Sequence, residues 1–230
     1  MVRSWHGPVS MAAALVLAAA VGPALAAGGA WTAEIQVVDI VPVKGDGTLT
    51  PASPVGVGPH VIDFQDNVTG AVGLRRTVHD RVSVGLTLSV GSHDLELDVP
   101  GAGTIALGDA DLTLLQIEAL FEIDSWGSGS LSVGPVLALS RFDDVAVSAS
   151  ARARADVQRA TLDDDLLFGV EFRLVTPIGG SGLAFTSTLR YLVGGPQLDV
   201  FTTASGAAPA GSGTADFDPL LVGFGLAYSF

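Results

Sequence analysis

A period of two dominates this sequence. Val82, Val84, Leu86, Leu88 and Val90 alternate with Ser83, Gly85, Thr87, Ser89 and Gly91. Successive strand side chains point to opposite faces, so the segment has one oily face and one small, polar face. Seven further segments repeat the pattern, over residues 31–37, 67–75, 115–123, 131–140, 166–174, 183–193 and 220–230. Past residue 27 no apolar run approaches the roughly 20 residues that a membrane helix needs. The spacing predicts an all-β chain of eight strands.

The links between these segments alternate in length. Short ones fall at 76–80, 124–129 and 177–182, long ones at 39–65, 92–110, 143–162 and 194–215. An even strand number, with short turns on one rim and long loops on the other, is the layout of a bacterial outer-membrane barrel. Closure pairs every backbone group within lipid. The expected fold is an eight-stranded antiparallel transmembrane β-barrel with short periplasmic turns and long extracellular loops.

A soluble barrel would also alternate, so composition decides which face looks outward. A lipocalin-like barrel shows polar residues to water. Here the polar face carries Gly, Ser, Ala and Thr, and Lys44 is the one lysine of the chain. Small residues suit the crowded interior of a narrow barrel, which leaves the apolar face for hydrocarbon. Mean hydropathy of +0.50 agrees. Trp31, Phe121, Trp126, Phe142, Tyr191, Phe217, Tyr228 and Phe230 stand near strand ends and are expected to form interfacial girdles. A net charge of −13 excludes a nucleic-acid partner, and the lack of cysteine excludes disulfides and thiolate chemistry.

Arg3, the apolar run Met11 to Ala27 and the small-x-small exit Ala24-Leu25-Ala26 have the parts of a secretory signal peptide. Residues 1–26 are expected to be cleaved, leaving 27–230 as the barrel. The expected location is the bacterial outer membrane, in contact with its lipid and lipopolysaccharide.

By parity, Glu34, Arg75, Arg81, Glu118, Glu122, Glu171, Arg173 and Arg190 point into the lumen. Unpaired charges there are costly, so glutamates and arginines should pair across the barrel. Such a network either fills and rigidifies the interior or gates small solutes. The long loops carry Val55, Val57, Leu95, Leu97, Val99, Ile105 and Leu107, more apolar residues than solvated loops need. They line an apolar pocket on one reading, and pack loop against loop or extend the strands on the other.

Residue types used in catalysis occur, but not in a catalytic arrangement. Ser92-His93-Asp94 has the residue types of a triad, but neighbours on a strand face opposite ways. Asp143-Asp144 and Asp163-Asp164-Asp165 are read as solvated loop edges, because the ligand spacing of a calcium loop is missing. No enzyme activity, metal or cofactor is expected.

The Trp-led first strand, the long first loop and the ending Asp218-Pro219-Leu220 through Ala227-Tyr228-Ser229-Phe230 resemble the OmpW family of small outer-membrane proteins. The resemblance covers about residues 31–230 and is most specific in the last strand. It implies that Tyr228 and Phe230 belong to the C-terminal signal read by the barrel-assembly machinery. It also implies passage of small hydrophobic solutes through the barrel and a lateral opening. The alternatives are a structural or adhesive barrel with a closed lumen and, less favoured, a lipid-modifying enzyme. A lipid-A deacylase barrel would carry its His and Ser late in the chain, and no histidine follows His93 here.

Overall fold

The computed structural model describes residues 30–43, 47–51, 60–99, 103–127, 129–203, 208–215 and 217–230. The proposed signal peptide, Val55 and Val57 lie outside the described residues, and so does the Val99 side chain.

Eight long strands close a ring. They are β1 (Trp31–Pro42), β4 (Asn67–His79), β5 (Val82–Val99), β6 (Gly103–Trp126), β7 (Gly129–Phe142), β10 (Asp165–Pro177), β11 (Leu183–Val193) and β14 (Pro219–Ser229). Each pairs antiparallel with its neighbours in that order, and β14 returns to β1 from Thr32↔Ser229 to Pro42↔Pro219. Three tight turns and both ends of the ring share one rim, the periplasmic one. Gly127 and Gly179 take positive φ in two of those turns (58° and 65°), a conformation that costs a glycine little.

Ile35, Val37, Leu86, Leu88, Ile117, Leu137, Phe168, Phe172, Leu189 and Phe224 are exposed on the outer wall. This apolar belt is continuous around the ring, so hydrocarbon rather than water is the medium it fits. Trp126, Tyr228 and Phe230 stand exposed at the periplasmic rim, where amphipathic rings sit at the bilayer interface.

The segments read as long loops form a second storey. Short strands β2 (Gly47–Pro51), β3 (His60–Phe64), β8 (Ala146–Val147), β9 (Arg159–Leu162), β12 (Gln197–Phe201) and β13 (Gly211–Thr214) join the upper ends of β5 and β6. Pairing runs β5–β3–β2–β13–β12–β9, then through the Val145↔Ala160 bridge to β8, β6 and back to β5. The loops thus close a smaller ring above the membrane. At the junction, the Ala146 carbonyl passes 2.4 Å from where a Cβ on Gly108 would lie, so only glycine lets β8 dock there. One helical turn, α1 (Ala149–Arg154), sits beside it. Ser148 caps α1 by accepting from the Ala151 N–H at 3.0 Å.

Phe142 and Phe217 do not join the girdles. They are 6% and 0% exposed and point inward. On β7 the lipid-facing positions are odd-numbered, so an even-numbered Phe142 turns into the lumen; Phe217 precedes β14 and packs on Phe64 at 4.9 Å.

Candidate functional site

The lumen has two halves of opposite character. Its periplasmic half is held by six buried charges from five strands. Arg75 Nη2 lies 2.7 Å from Glu118 Oε2 and 3.7 Å from Glu171 Oε1. Arg190 Nε donates to Glu171 Oε2 at 2.8 Å, and its Nη2 approaches Glu118 Oε1 at 3.6 Å. Arg173 Nη2 reaches Glu34 Oε2 at 2.6 Å. The three arginines and three glutamates balance in charge, and the network ties β4 to β10 and β6 to β11 through the interior.

Backbone register makes these meetings possible. Glu171 and Arg190 are cross-strand partners. Arg75 and Glu118 both pair with Gly85, on opposite sides of β5. A Cβ on Gly85 would lie 2.3 Å from Glu118 Oε2, so the absence of a side chain there is what lets the pair reach over β5. Neutral residues complete the network: Gln36 donates to Glu34 at 2.7 Å, Thr186 donates to Glu34 and Thr87 donates to Glu118. Hydrogen bonds to the remaining carboxylate lone pairs offset the desolvation of these ions.

Arg81 and Glu122 are placed differently. Both line the periplasmic mouth, and neither makes an ion pair with the six. Their parity is inward, but they stand at the ends of β5 and β6, where water is available and pairing gains little. Gln36, Thr87 and Thr186 were missed as network members because a charge-based reading passes over neutral side chains; their inward parity was the usable signal.

The extracellular half is apolar. Val38, Ile40, Leu112, Leu114, Leu167, Leu192 and Leu221 fill it and continue upward into the second ring. Leu95, Leu97, Ile105 and Leu107 are brought together there, at 0–2% exposure. They are packed core rather than the lining of an open cavity, because the short strands of the second ring cover them. Between the halves of this core lies an aromatic cluster. His93 and Phe217 rings meet edge-on at 5.9 Å, Phe142 and Phe217 likewise at 5.9 Å, and Phe64 touches all three. His93 Nδ1 faces the Gln65 carbonyl at 3.1 Å. Burial among these rings pushes the His93 imidazole below the ordinary histidine range. Ser92 and Asp94 are exposed on the outer face, so the three residues of that tripeptide do not assemble a triad.

The wall has an interruption beside this cluster. The β4–β5 ladder ends at Gly70↔Val90, and the β3–β5 ladder resumes one residue out of step at Phe64↔Leu95. One backbone bond, from the Gln65 N–H to the Asp94 carbonyl at 3.0 Å, and two side chains close the interval: Asn67 donates to the Ser92 carbonyl and Thr69 to the Val90 carbonyl. Gly91 leaves room for this, since its Cβ would lie 3.0 Å from that of Thr69.

No protein-family model and no curated protein sequence matches the chain. Solved structures do. The crystal structure of the outer membrane protein OprG from Pseudomonas aeruginosa superposes with a TM-score of 0.76 at 12% identity, covering 88% of this chain and 96% of that one. The protein has the fold of the small outer-membrane barrels. AlkL, solved by solid-state NMR in DMPC bilayers, gives 0.63 at 18% identity over 90% of this chain and 94% of that one. E. coli outer membrane protein W gives 0.53 at 15% over 88% and 98%. The outer apolar belt requires a bilayer, and the bilayer that holds barrels of this fold is the bacterial outer membrane.

Proposed function

We propose that this barrel is an uptake channel for small apolar solutes, which enter the apolar upper lumen and leave sideways into the outer membrane. The observation that carries the reading is the division of the lumen. An apolar solute can partition into the upper half, but the six-charge network below offers it only desolvated ions. The wall interruption between Gly70↔Val90 and Phe64↔Leu95 is the exit beside that upper half, and one backbone bond with two side-chain hydrogen bonds is easier to open there than an unbroken ladder. In the conformation described, side chains fill the route, so passage requires the aromatic cluster and the Thr69 and Asn67 contacts to part.

The chain lacks cysteine, which makes the test clean. Thr69→Cys with Gly91→Cys places two Cβ atoms near disulfide separation at the interruption. Oxidation should stop uptake of an apolar dye into proteoliposomes holding the refolded barrel, and reduction should restore it. Equal uptake in both redox states would remove the lateral route. The filled upper core favours a second reading, a closed structural or adhesive barrel; it predicts no dye uptake in either state. A lipid-modifying enzyme finds no support in the outward Ser92 and Asp94.

A further inference from the structure

His93 stands in the middle of the wall interruption. On one side of it the Asp94 carbonyl accepts from the Gln65 N–H at 3.0 Å, and on the other the Ser92 carbonyl accepts from the Asn67 side chain. The ring itself adds a further tie, from Nδ1 to the Gln65 carbonyl at 3.1 Å. A group that can take up a proton therefore helps to hold residues 65–67 against residues 92–94.

A carbonyl only accepts, so Nδ1 carries the proton and Nε2 of the neutral ring is bare. Nε2 is buried and has no hydrogen-bond partner among the described residues. Phe64 and Phe217 meet the ring edge-on at 6.5 and 5.9 Å, and neither bears a charge. Protonation would place a desolvated cation there, with a new N–H that finds no acceptor. The aromatic faces return only part of that cost. The groups that favour the charged ring lie across the seam. They are Asp66, on the link from β3 to β4, and Asp94, its neighbour on β5, and both are exposed. On β6 the facing residue is Ala110, with Asp109 and Asp111 on the outer face.

We propose that His93 is a proton-operated latch on this wall: neutral, it ties β5 to the β3–β4 link, and protonated, it parts residues 65–67 from 92–94 so that water and the carboxylates of Asp66 and Asp94 reach the ring. The pairs that bound the interval, Phe64↔Leu95 and Gly70↔Val90, stay formed, so the opening is local. The latch rests on the uptake reading for what the opening admits, and on the seam alone for the opening itself. Burial favours the neutral ring, so the wall opens below the ordinary histidine value of 6.5. One proton drives it, so the ratio of open to closed changes by at most about tenfold per pH unit.

Nitroxide pairs on the whole refolded barrel in bilayers test the latch. Val68 and Ser92 are exposed on opposite sides of the interruption, and Leu74 and Leu86 pair across the unbroken ladder below it. Val68→Cys with Ser92→Cys carries the first pair, and Leu74→Cys with Leu86→Cys the control. As pH falls from neutral to below 6.5, dipolar broadening should weaken reversibly at the first pair, with a one-proton midpoint, and stay constant at the control. His93→Gln keeps a donor for the Gln65 carbonyl but cannot titrate, and should hold the first pair constant; His93→Phe replaces it should that variant fail to fold. Asp66→Asn with Asp94→Asn should move the midpoint to lower pH. A constant distance with His93 in place, the same loss in the folded His93 variant, a loss at both pairs together, or an unmoved midpoint in the double Asn variant would each overturn the proposal. The readout is a distance rather than transport, so failed dye uptake leaves the latch standing, and a failed latch leaves dye uptake standing.

Discussion

Strand β5 passes through both storeys, and its hydrophobic face changes sides on the way. In the membrane storey Val84, Leu86, Leu88 and Val90 face lipid, while Gly85, Thr87 and Ser89 face the lumen. Above Gly91 the parity of the backbone is unbroken, yet Ser92, Asp94 and Asp98 now point outward, and His93, Leu95 and Leu97 point in. Strand β6 makes the same exchange at one parity, from Leu115 and Ile117 outward to Asp111 and Asp109 outward, with Leu112 and Ala110 inside. Beyond Asp109 a bulge opposite Leu95 and Glu96 shifts the parity of β6, which is what brings Leu107 and Ile105 inside. Below that bulge nothing in either strand has changed. The solvent has: hydrocarbon surrounds the lower storey and water the upper one, so the apolar side chains follow whichever face is dry. The lower storey then keeps its charged side chains inside and opposite partners of the other sign, and the upper storey can hold an ordinary protein core.

The comparison is most sharply challenged by Leu97→Asp. An unpaired carboxylate in the upper core should cost several kcal/mol, about what breaking a buried ion pair costs. The second ring should open to protease within residues 92–110 while the membrane storey stays intact in detergent; loss of both together would show that the storeys are not separable. Next in size is Glu118→Gln, which leaves Arg75 and Arg190 short of a partner and should cost about 3–5 kcal/mol in urea unfolding from vesicles. A cost near zero would mean that water already serves those arginines.

A smaller effect contrasts two sites on one face of one strand. Leu88→Arg, in the lipid belt, should cost about 2–4 kcal/mol, whereas Glu96→Arg, above it, should cost almost nothing. Equal costs would put the membrane boundary in the wrong place. The smallest effect is a pH dependence. His93 is held neutral by burial, so its folded pKa lies below the unfolded value near 6.5. The unfolded chain then binds the extra proton, and stability is full above 6.5 and falls as pH drops from there toward the folded pKa. The slope is at most about 1.4 kcal/mol per pH unit. His93→Gln should flatten it, and an unchanged slope would assign the dependence to other groups.

Much of this was legible in the sequence, for a physical reason. Each membrane strand is long and solvated by lipid on one side only, so the alternation of 82–91 or 166–174 is uncompromised, and parity alone places Glu34, Arg75, Glu118, Glu171, Arg173 and Arg190 inside. The second ring was not legible as a ring. Its strands span two to five residues, β13 reads only Gly-Ser-Gly-Thr, and their partners lie far away in the chain. Leu95 and Leu97 did announce something buried, but the closure over them comes from pairings such as Thr214↔Thr48, which no local pattern encodes. Phe142 could have been placed by parity. Phe217, outside any strand, could not.

Site-directed spin labels at positions 84, 86, 88, 90, 92, 94, 96 and 98, one at a time in bilayers, read the change of medium along β5, and the chain supplies no competing thiol. Collision with dissolved oxygen should dominate from 84 to 90 and give way to collision with a water-soluble nickel chelate from 92 to 98. Water contact at all eight positions, or lipid contact at all eight, would contradict an exchange of faces at the membrane surface.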